Sequence, residues 1–423
     1  MDNNSLHTSL SFDRDIVAIH EDDVVHLLVD LTASESSALE RPAVDAVFVL
    51  DRSGSMAGDP LDAVKAACDR VVGMTDANDR IGIVTFDSTV DVVLQLDRHD
   101  TIAARRAISR ISARGMTNLS AGWLKALDML NRSPRQDAIR RIIILTDGHA
   151  NEGLTDRDAL AGMVAGGRTH GVTTSVIGFG DGYDEVLAGT LANQGGGNDY
   201  WCAGPDNAPE VFDAEFGGLA QVAAQNITID FMPSAQVAVC EVLNDFRTAE
   251  HADGTTTIDV GDIYASETRS VVIRLSLRPV LTTGAVHVGD LNLSWAAIGD
   301  QMALHSVSLP VDIRADVPGA FVRVEDSRVR EQILILEAAR SERAGRDAAQ
   351  AGDLEQAATY FTTAANFLTQ TSLPDTFSSS LRSDADALTK GIWSDADSKR
   401  RYSSSRESSK GRRSKFDDSK DNK

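Results

Sequence analysis

Asp51, Ser53 and Ser55 alternate in the stretch Asp51-Arg52-Ser53-Gly54-Ser55 and set one carboxylate beside two hydroxyls. Every donor is an oxygen, with no imidazole or thiolate among them. That chemistry suits a hard divalent cation such as Mg²⁺, which takes oxygen ligands in octahedral geometry. The apolar run 44–50 before it reads as a buried strand, Gly54 permits a tight turn, and Pro60 suits the first turn of a helix. The three residues therefore fall where a parallel strand meets its crossover loop, the usual place for ligands in open α/β sheets.

Two further stretches complete the constellation. Thr117 lies in Arg114-Gly115-Met116-Thr117-Asn118-Leu119-Ser120, a loop between two helical patterns. Asp147 ends the apolar strand pattern Ile142-Ile143-Ile144-Leu145-Thr146 and is followed by Gly148. On these three stretches the chain resembles a von Willebrand factor type A domain, of the bacterial and archaeal multi-domain type, with a complete metal-ion-dependent adhesion site. The resemblance implies that Ser53, Ser55 and Thr117 offer hydroxyls to the ion, and that Asp51 and Asp147 act directly or through water. It also implies an open coordination position for an acidic residue of a partner. Two positions depart from the pattern: Met116 stands where Gly is common, which narrows access without removing a ligand, and Arg52 fills a variable position. The rival reading, Asp51 and Ser53 as helix caps only, accounts for one segment and not for three.

Composition limits the remaining classes. The 423 residues suffice for two or three domains, and 42% hydrophobic content supports a sizeable core. Aromatics at 5% argue against a base-stacking surface. The net charge of −22 is uneven: residues 399–423 carry +6 and the rest −28. A body this acidic disfavours nucleic acid and anionic membrane, and draws divalent cations and basic partners. Cys68, Cys202 and Cys240 are too few and too scattered for a disulfide framework or a zinc site. The N-terminus does not read as a secretory signal and no stretch reaches membrane-spanning length, so a cytoplasmic protein is expected.

Hydrophobic periodicity divides the chain. Residues 8–40 begin with alternating strands and end in a polar connection. From 44 to 224 strands and helices alternate, which predicts a doubly wound, mostly parallel sheet closed by a helix over 206–224. Over 225–315 short alternating strands predict an antiparallel β-sandwich, joined by the 8–40 strands so that the α/β domain is inserted within it. Residues 325–372 read as a helical hairpin broken at Gly352, with Leu354, Ala357, Ala358, Phe361, Ala364, Ala365 and Leu368 on one face. Residues 373–423 read as a disordered, basic, Ser-rich tail.

Nothing in the sequence displays a catalytic constellation. There is no nucleophile elbow or Walker A pattern, and Gly178-Phe179-Gly180-Asp181-Gly182 does not match the dinucleotide fingerprint. His149 is read as a rim residue rather than a general base, with Asn151 and Glu152 orienting the loop or shaping partner choice. The expected function is therefore a non-enzymatic, cation-dependent protein-interaction module that binds an acidic side chain, with Mg²⁺ at the site and Mn²⁺ admitted by the same donors. Two alternatives stand beside it. One is a non-hydrolysing adaptor subunit of an AAA-type ATPase or metal-insertion assembly. The other is a scaffold with a silent metal site.

Overall fold

A computed structural model describes residues 6–34, 42–202, 211–212, 215–216, 222–297 and 303–411, apart from 136, 149, 181 and 323. Among them two compact units separate. One combines residues before 36 with 226–295 and those from 304 onward, and the other spans 36–225 with 296–303. The α/β unit is thus inserted between strands of the other.

The first unit opens with β1 (Leu6–Phe12), β2 (Ile16–Ala18) and β3 (Asp23–Ala33). The α/β unit follows. Its elements are β4 (Ala43–Asp51), α1 (Asp59–Met74), β5 (Arg80–Phe86), β6 (Val90–Asp97), α2 (Thr101–Ser109), α3 (Leu119–Arg132), β7 (Ala138–Thr146), α4 (Arg157–Arg168), β8 (Thr173–Phe179), α5 (Glu185–Gly195) and β9 (Gly196–Cys202). The sheet order is β6-β5-β4-β7-β8-β9, parallel except for the β5–β6 hairpin. The chain runs outward from β4 to β6 and then returns to the other side of β4 with β7. The strand ends of β4 and β7 therefore flank the topological switch point, where open α/β sheets bind ligands.

Burial explains why these strands hold the centre. All of β4 after Ala43 is buried, and β8 is buried throughout, as strands covered on both faces require. Val47, Val49, Ile142 and Ile144 pack with Trp123 of α3, Leu160 of α4 and Leu187 of α5 in one core. Trp123 is 1% exposed and satisfies its indole N–H on Thr174 Oγ1 at 3.1 Å. Asp100, Asn118, Asp156 and Asp184 each accept from a backbone amide in the first turn of their helix. Such caps contribute about 1 kcal/mol apiece.

The other unit resumes with β10 (Val222–Pro233), β11 (Val237–Val242), β12 (Arg247–Glu250), β13 (Thr256–Tyr264), β14 (Thr268–Leu277), β15 (Gly284–Ala297) and β16 (Ala303–Asp316). One sheet has the order β1-β3-β14-β11 and the other β12-β13-β10-β15-β16-β2. The short strand β2 pairs in parallel with β16, an exception to the antiparallel pattern. Residues 222–224, expected at the end of a helix over 206–224, belong to β10 instead, and most of that span lies outside the described residues.

Helices α6 (Ser327–Gln350) and α7 (Leu354–Leu368) follow, joined at Gly352 (φ 83°) and capped by Asp353. The polar tail expected from 373 contains two more helices, α8 (Asp375–Thr389) and α9 (Asp395–Ser409), while residues 412–423 lie outside the described residues. Leu381, Ala385 and Leu388 of α8 join Phe361 and Leu368 of α7 in one core. Their spacing of four and three residues is helical, but it sits in a stretch whose average composition is polar. Helix α9 docks by charge instead. Arg401 pairs with Asp384, Arg406 pairs with Asp245, and the Arg346 guanidinium lies 4.8 Å over the Tyr402 ring. Among the described residues no helix is long and apolar enough to cross a membrane.

Candidate metal centre

Asp51 is the last residue of β4, and its side chain is 0% exposed. One carboxylate oxygen, Oδ1, accepts from the Ser53 backbone N–H at 2.8 Å, and Oδ2 accepts from Thr146 Oγ1 at 2.6 Å. Thr146 ends β7, so this single carboxylate ties the neighbouring strand ends together across the switch point. A 3-10 turn over Gly54–Met56 then carries Ser55 outward. Ser53 Oγ and Ser55 Oγ lie 3.1 Å apart, and Ser55 Oγ donates to Asp147 Oδ1 at 3.0 Å. Ser53 is buried, Ser55 is exposed and Asp147 is half-buried, so the row of oxygens leads from the sheet to solvent.

Thr117 reaches this cluster through its backbone. Gly115 takes φ 71° and its carbonyl accepts from the Gly54 N–H at 3.1 Å, which lays the Thr117 loop against the serine loop. Thr117 is 3% exposed, and its N–H donates to Asn151 Oδ1 at 2.8 Å. In return, the Asn151 and Glu152 amides donate to the Thr117 carbonyl, each at 3.2 Å. A β-carbon on Gly153 (φ 72°) would stand 2.3 Å from Asn118 Oδ1, so this loop closes only on glycine. Ser53, Ser55, Asp51 and Asp147 are thus joined side by side, and Thr117 is held in the adjoining loop. His149 lies outside the described residues. Met116 is 49% exposed, at the rim beside Thr117.

The electrostatics separate this cluster from the neighbouring buried carboxylate Asp87. Burial pushes Asp51 up to about 6, only partly offset by the Thr146 hydroxyl and the Ser53 amide. Burial likewise raises Asp147, against the hydrogen bond from Ser55. Asp87, 2% exposed, behaves oppositely: burial works against its charge, but hydrogen bonds from Arg114, Thr89 and Arg52 bring it down to about 2. Asp87 has its cations on the protein. Asp51 and Asp147 are partnered by hydroxyls and amides, so a positive ion supplied from outside would stabilise their charge further.

The donor set fits a small hard cation. Octahedral oxygens at about 2.1 Å from Mg²⁺ stand about 3 Å apart along an edge. The Ser53–Ser55 and Ser55–Asp147 separations match that spacing. Among the described residues no three His, Cys, Asp or Glu side chains group as metal ligands, so a cation here would rely on the hydroxyls. Hydroxyl ligands are neutral and leave such an ion electrophilic.

Four side chains around the cluster were not legible as site residues. Thr146 reads only as the end of an apolar strand, yet its hydroxyl orients Asp51. Asp87, Asp91 and Arg114 read as hairpin and loop residues, yet they surround Arg52. The only hint is an Asp immediately after an apolar strand, at Asp87 as at Asp51 and Asp147.

Residues 45–208 match the family model of the von Willebrand factor type A domain. The Synechocystis protein sll0103 is 26% identical over 349 residues, covering 80% of this chain and 82% of that protein. Escherichia coli YfbK is 28% identical over 258 residues, covering 59% of this chain and 45% of YfbK. Among solved structures, a von Willebrand factor type A protein from Catenulispora acidiphila superposes with a TM-score of 0.75 at 18% identity, covering 98% of this chain and 99% of that one. The ArnB paralog VWA2 from Sulfolobus acidocaldarius gives a TM-score of 0.63 at 16% identity, covering 96% and 98%. These two likenesses extend over both units and bear on the fold.

Proposed function

We propose, from the match of residues 45–208 to the family model of the von Willebrand factor type A domain, that this chain is a non-enzymatic protein-interaction module whose binding depends on Mg²⁺. Ser53, Ser55 and Thr117 would offer hydroxyls to the ion, with Asp51 and Asp147 beside them. Bound there, the ion would supply an electrophilic centre able to take a carboxylate oxygen from a partner protein. The protein's own part is to hold the oxygens in place and to keep one side open. Asp51 orients the serine loop through the Ser53 amide and is itself oriented by Thr146. Ser55, an exposed residue, presents its hydroxyl between that of Ser53 and the Asp147 carboxylate.

The observation that carries this reading is the Ser53–Ser55–Asp147 oxygen row at the switch point, next to carboxylates whose partners are hydroxyls and amides. Mn²⁺ would fit the same oxygens. The test pairs two measurements. Calorimetric titration with MgCl₂ should show binding to the full chain and none to Asp51→Ala or Ser55→Ala. Partner recovery from the native host should need Mg²⁺, fail in EDTA and fail with Asp51→Ala. Recovery indifferent to both EDTA and the substitution would refute cation-dependent capture.

A further inference from the structure

Arg52 sits between the candidate ligands Asp51 and Ser53, yet its side chain points away from them into a network of its own. It is 8% exposed. Its Nε donates to Asp87 Oδ2 at 2.8 Å and one Nη to Asp91 Oδ2 at 2.5 Å. Arg114, at the start of the Thr117 loop, makes the same pair of bonds, to Asp87 Oδ2 at 2.8 Å and Asp91 Oδ2 at 3.1 Å. The two arginines thus share two carboxylates of the β5–β6 hairpin. Their backbones meet as well, since the Arg114 N–H donates to the Arg52 carbonyl at 2.7 Å. The hairpin reaches the Thr117 loop twice more, through Met116 N–H to Ser88 Oγ at 3.2 Å and Asn118 N–H to the Asp87 carbonyl at 3.2 Å. Three segments that are distant in sequence are therefore clamped at one point.

We propose that Arg52 is a positioning residue: together with Arg114 and Asp87 it sets the Thr117 loop against the Ser53–Ser55 loop, and the cation affinity of this chain depends on that register. The proposal rests on reading the cluster as a cation site. Its physical basis is geometric. A planar guanidinium bridges two carboxylates at once, whereas an ammonium on a flexible stem holds one. The clamp is also balanced in charge, with two arginines against two aspartates, so it orders the loops without adding net charge beside the site. Groups outside the ligand set that orient it commonly account for about 10- to 100-fold in metal affinity.

The experiment titrates MgCl₂ into the full chain by calorimetry. It compares wild type with Arg52→Met, Arg52→Lys and Arg114→Met, and follows amide hydrogen exchange in EDTA. Arg52→Met is expected to weaken Mg²⁺ about tenfold or more, Arg52→Lys to restore part of that, and Arg114→Met, at an exposed position, to cost less. In EDTA the amides of 114–118 should exchange faster in Arg52→Met while those of β4 stay protected. That readout needs no metal and separates loop register from general loss of stability. Unchanged affinity in Arg52→Met overturns the proposal and leaves the site reading intact. Faster exchange throughout β4 with no rescue by Lys also overturns it, because Arg52 would then only hold the fold. If Arg52→Met fails to fold, Arg114→Met and Asp91→Asn decide, and wild-type affinity in both is the overturning result. Absence of Mg²⁺ binding in wild type itself removes the site reading, and this inference with it.

Discussion

Burying Asp51 at the centre of the α/β unit carries an electrostatic cost. Burial holds its carboxyl above the ordinary range, so folding favours the protonated form. Its contribution to stability is full below 3.8 and is lost as pH rises through about 6. A rise from 3.8 to about 6 corresponds to about 3 kcal/mol lost at neutral pH. In chelator at about pH 8, Asp51→Asn is therefore expected to melt at or above wild type, because the neutral amide avoids this cost. In MgCl₂ the order should reverse, since wild type gains stability from a bound ion and the variant does not. Thermal melts in EDTA and in MgCl₂ check this, and equal Mg²⁺ effects on both proteins would contradict it. A different buried residue shows what a non-participating side chain looks like. Burial raises the Cys68 thiol to about 12, so it serves as an inert packing group in α1.

Elements differ in what holds them. Helix α3 presses so closely on the sheet that a β-carbon on Gly122 would lie 2.8 Å from Phe86 and 3.0 Å from Val49. Gly122→Ala gains about 1 kcal/mol in helix propensity but overpacks the core at a cost of about 1–3 kcal/mol. The expected net result is a loss of about 1 kcal/mol in urea unfolding. A gain would mean that α3 can lift off the sheet freely. Helix α9 is the opposite case. Its sequence carries no apolar stripe, and its contacts among the described residues include Arg401 on Asp384 and Ser380, Arg406 on Asp245 and the Arg346 guanidinium over the Tyr402 ring. Raising NaCl from about 0.1 to about 1 M shortens the screening length from about 10 to about 3 Å. Amide exchange in α9 should then accelerate while α7, docked through Phe361 and Leu368, stays protected. Equal protection of α9 at both salt levels would refute a charge-held helix.

At the scale of the molecule, each unit has its own core and its own titrating weak point. In the helices after the sandwich, burial raises Glu342 to about 7, only partly offset by Arg401 and Arg346. Its Oε2 has no hydrogen-bond partner among the described residues. A raised value again means stability that is full below 4.5 and is lost as pH rises through about 7. Glu342→Gln should therefore raise the melting temperature of its unit above pH 7 and change it little near pH 4. Calorimetry of the full chain should show this change in the unit that Mg²⁺ leaves alone, while Mg²⁺ moves the α/β unit. A single transition moved equally by both would show instead that the two units melt as one.

The sequence alone determined the periods and the punctuation. Continuous apolar runs such as 44–50 dictate strands buried on both faces, and a change to alternation after 225 dictates a sandwich. Oxygen donors at strand ends gave the expectation of a hard cation, and all three are local properties of residue type and spacing. The tertiary structure decided which distant loops share an anchor. It placed Thr146 on Asp51, joined Arg52 and Arg114 through Asp87 and Asp91, and gave the polar stretch after 373 its helices. Ion pairs and side-chain hydrogen bonds between segments leave no periodic trace in the chain. They exist only once folding has brought the partners within about 3 Å of each other.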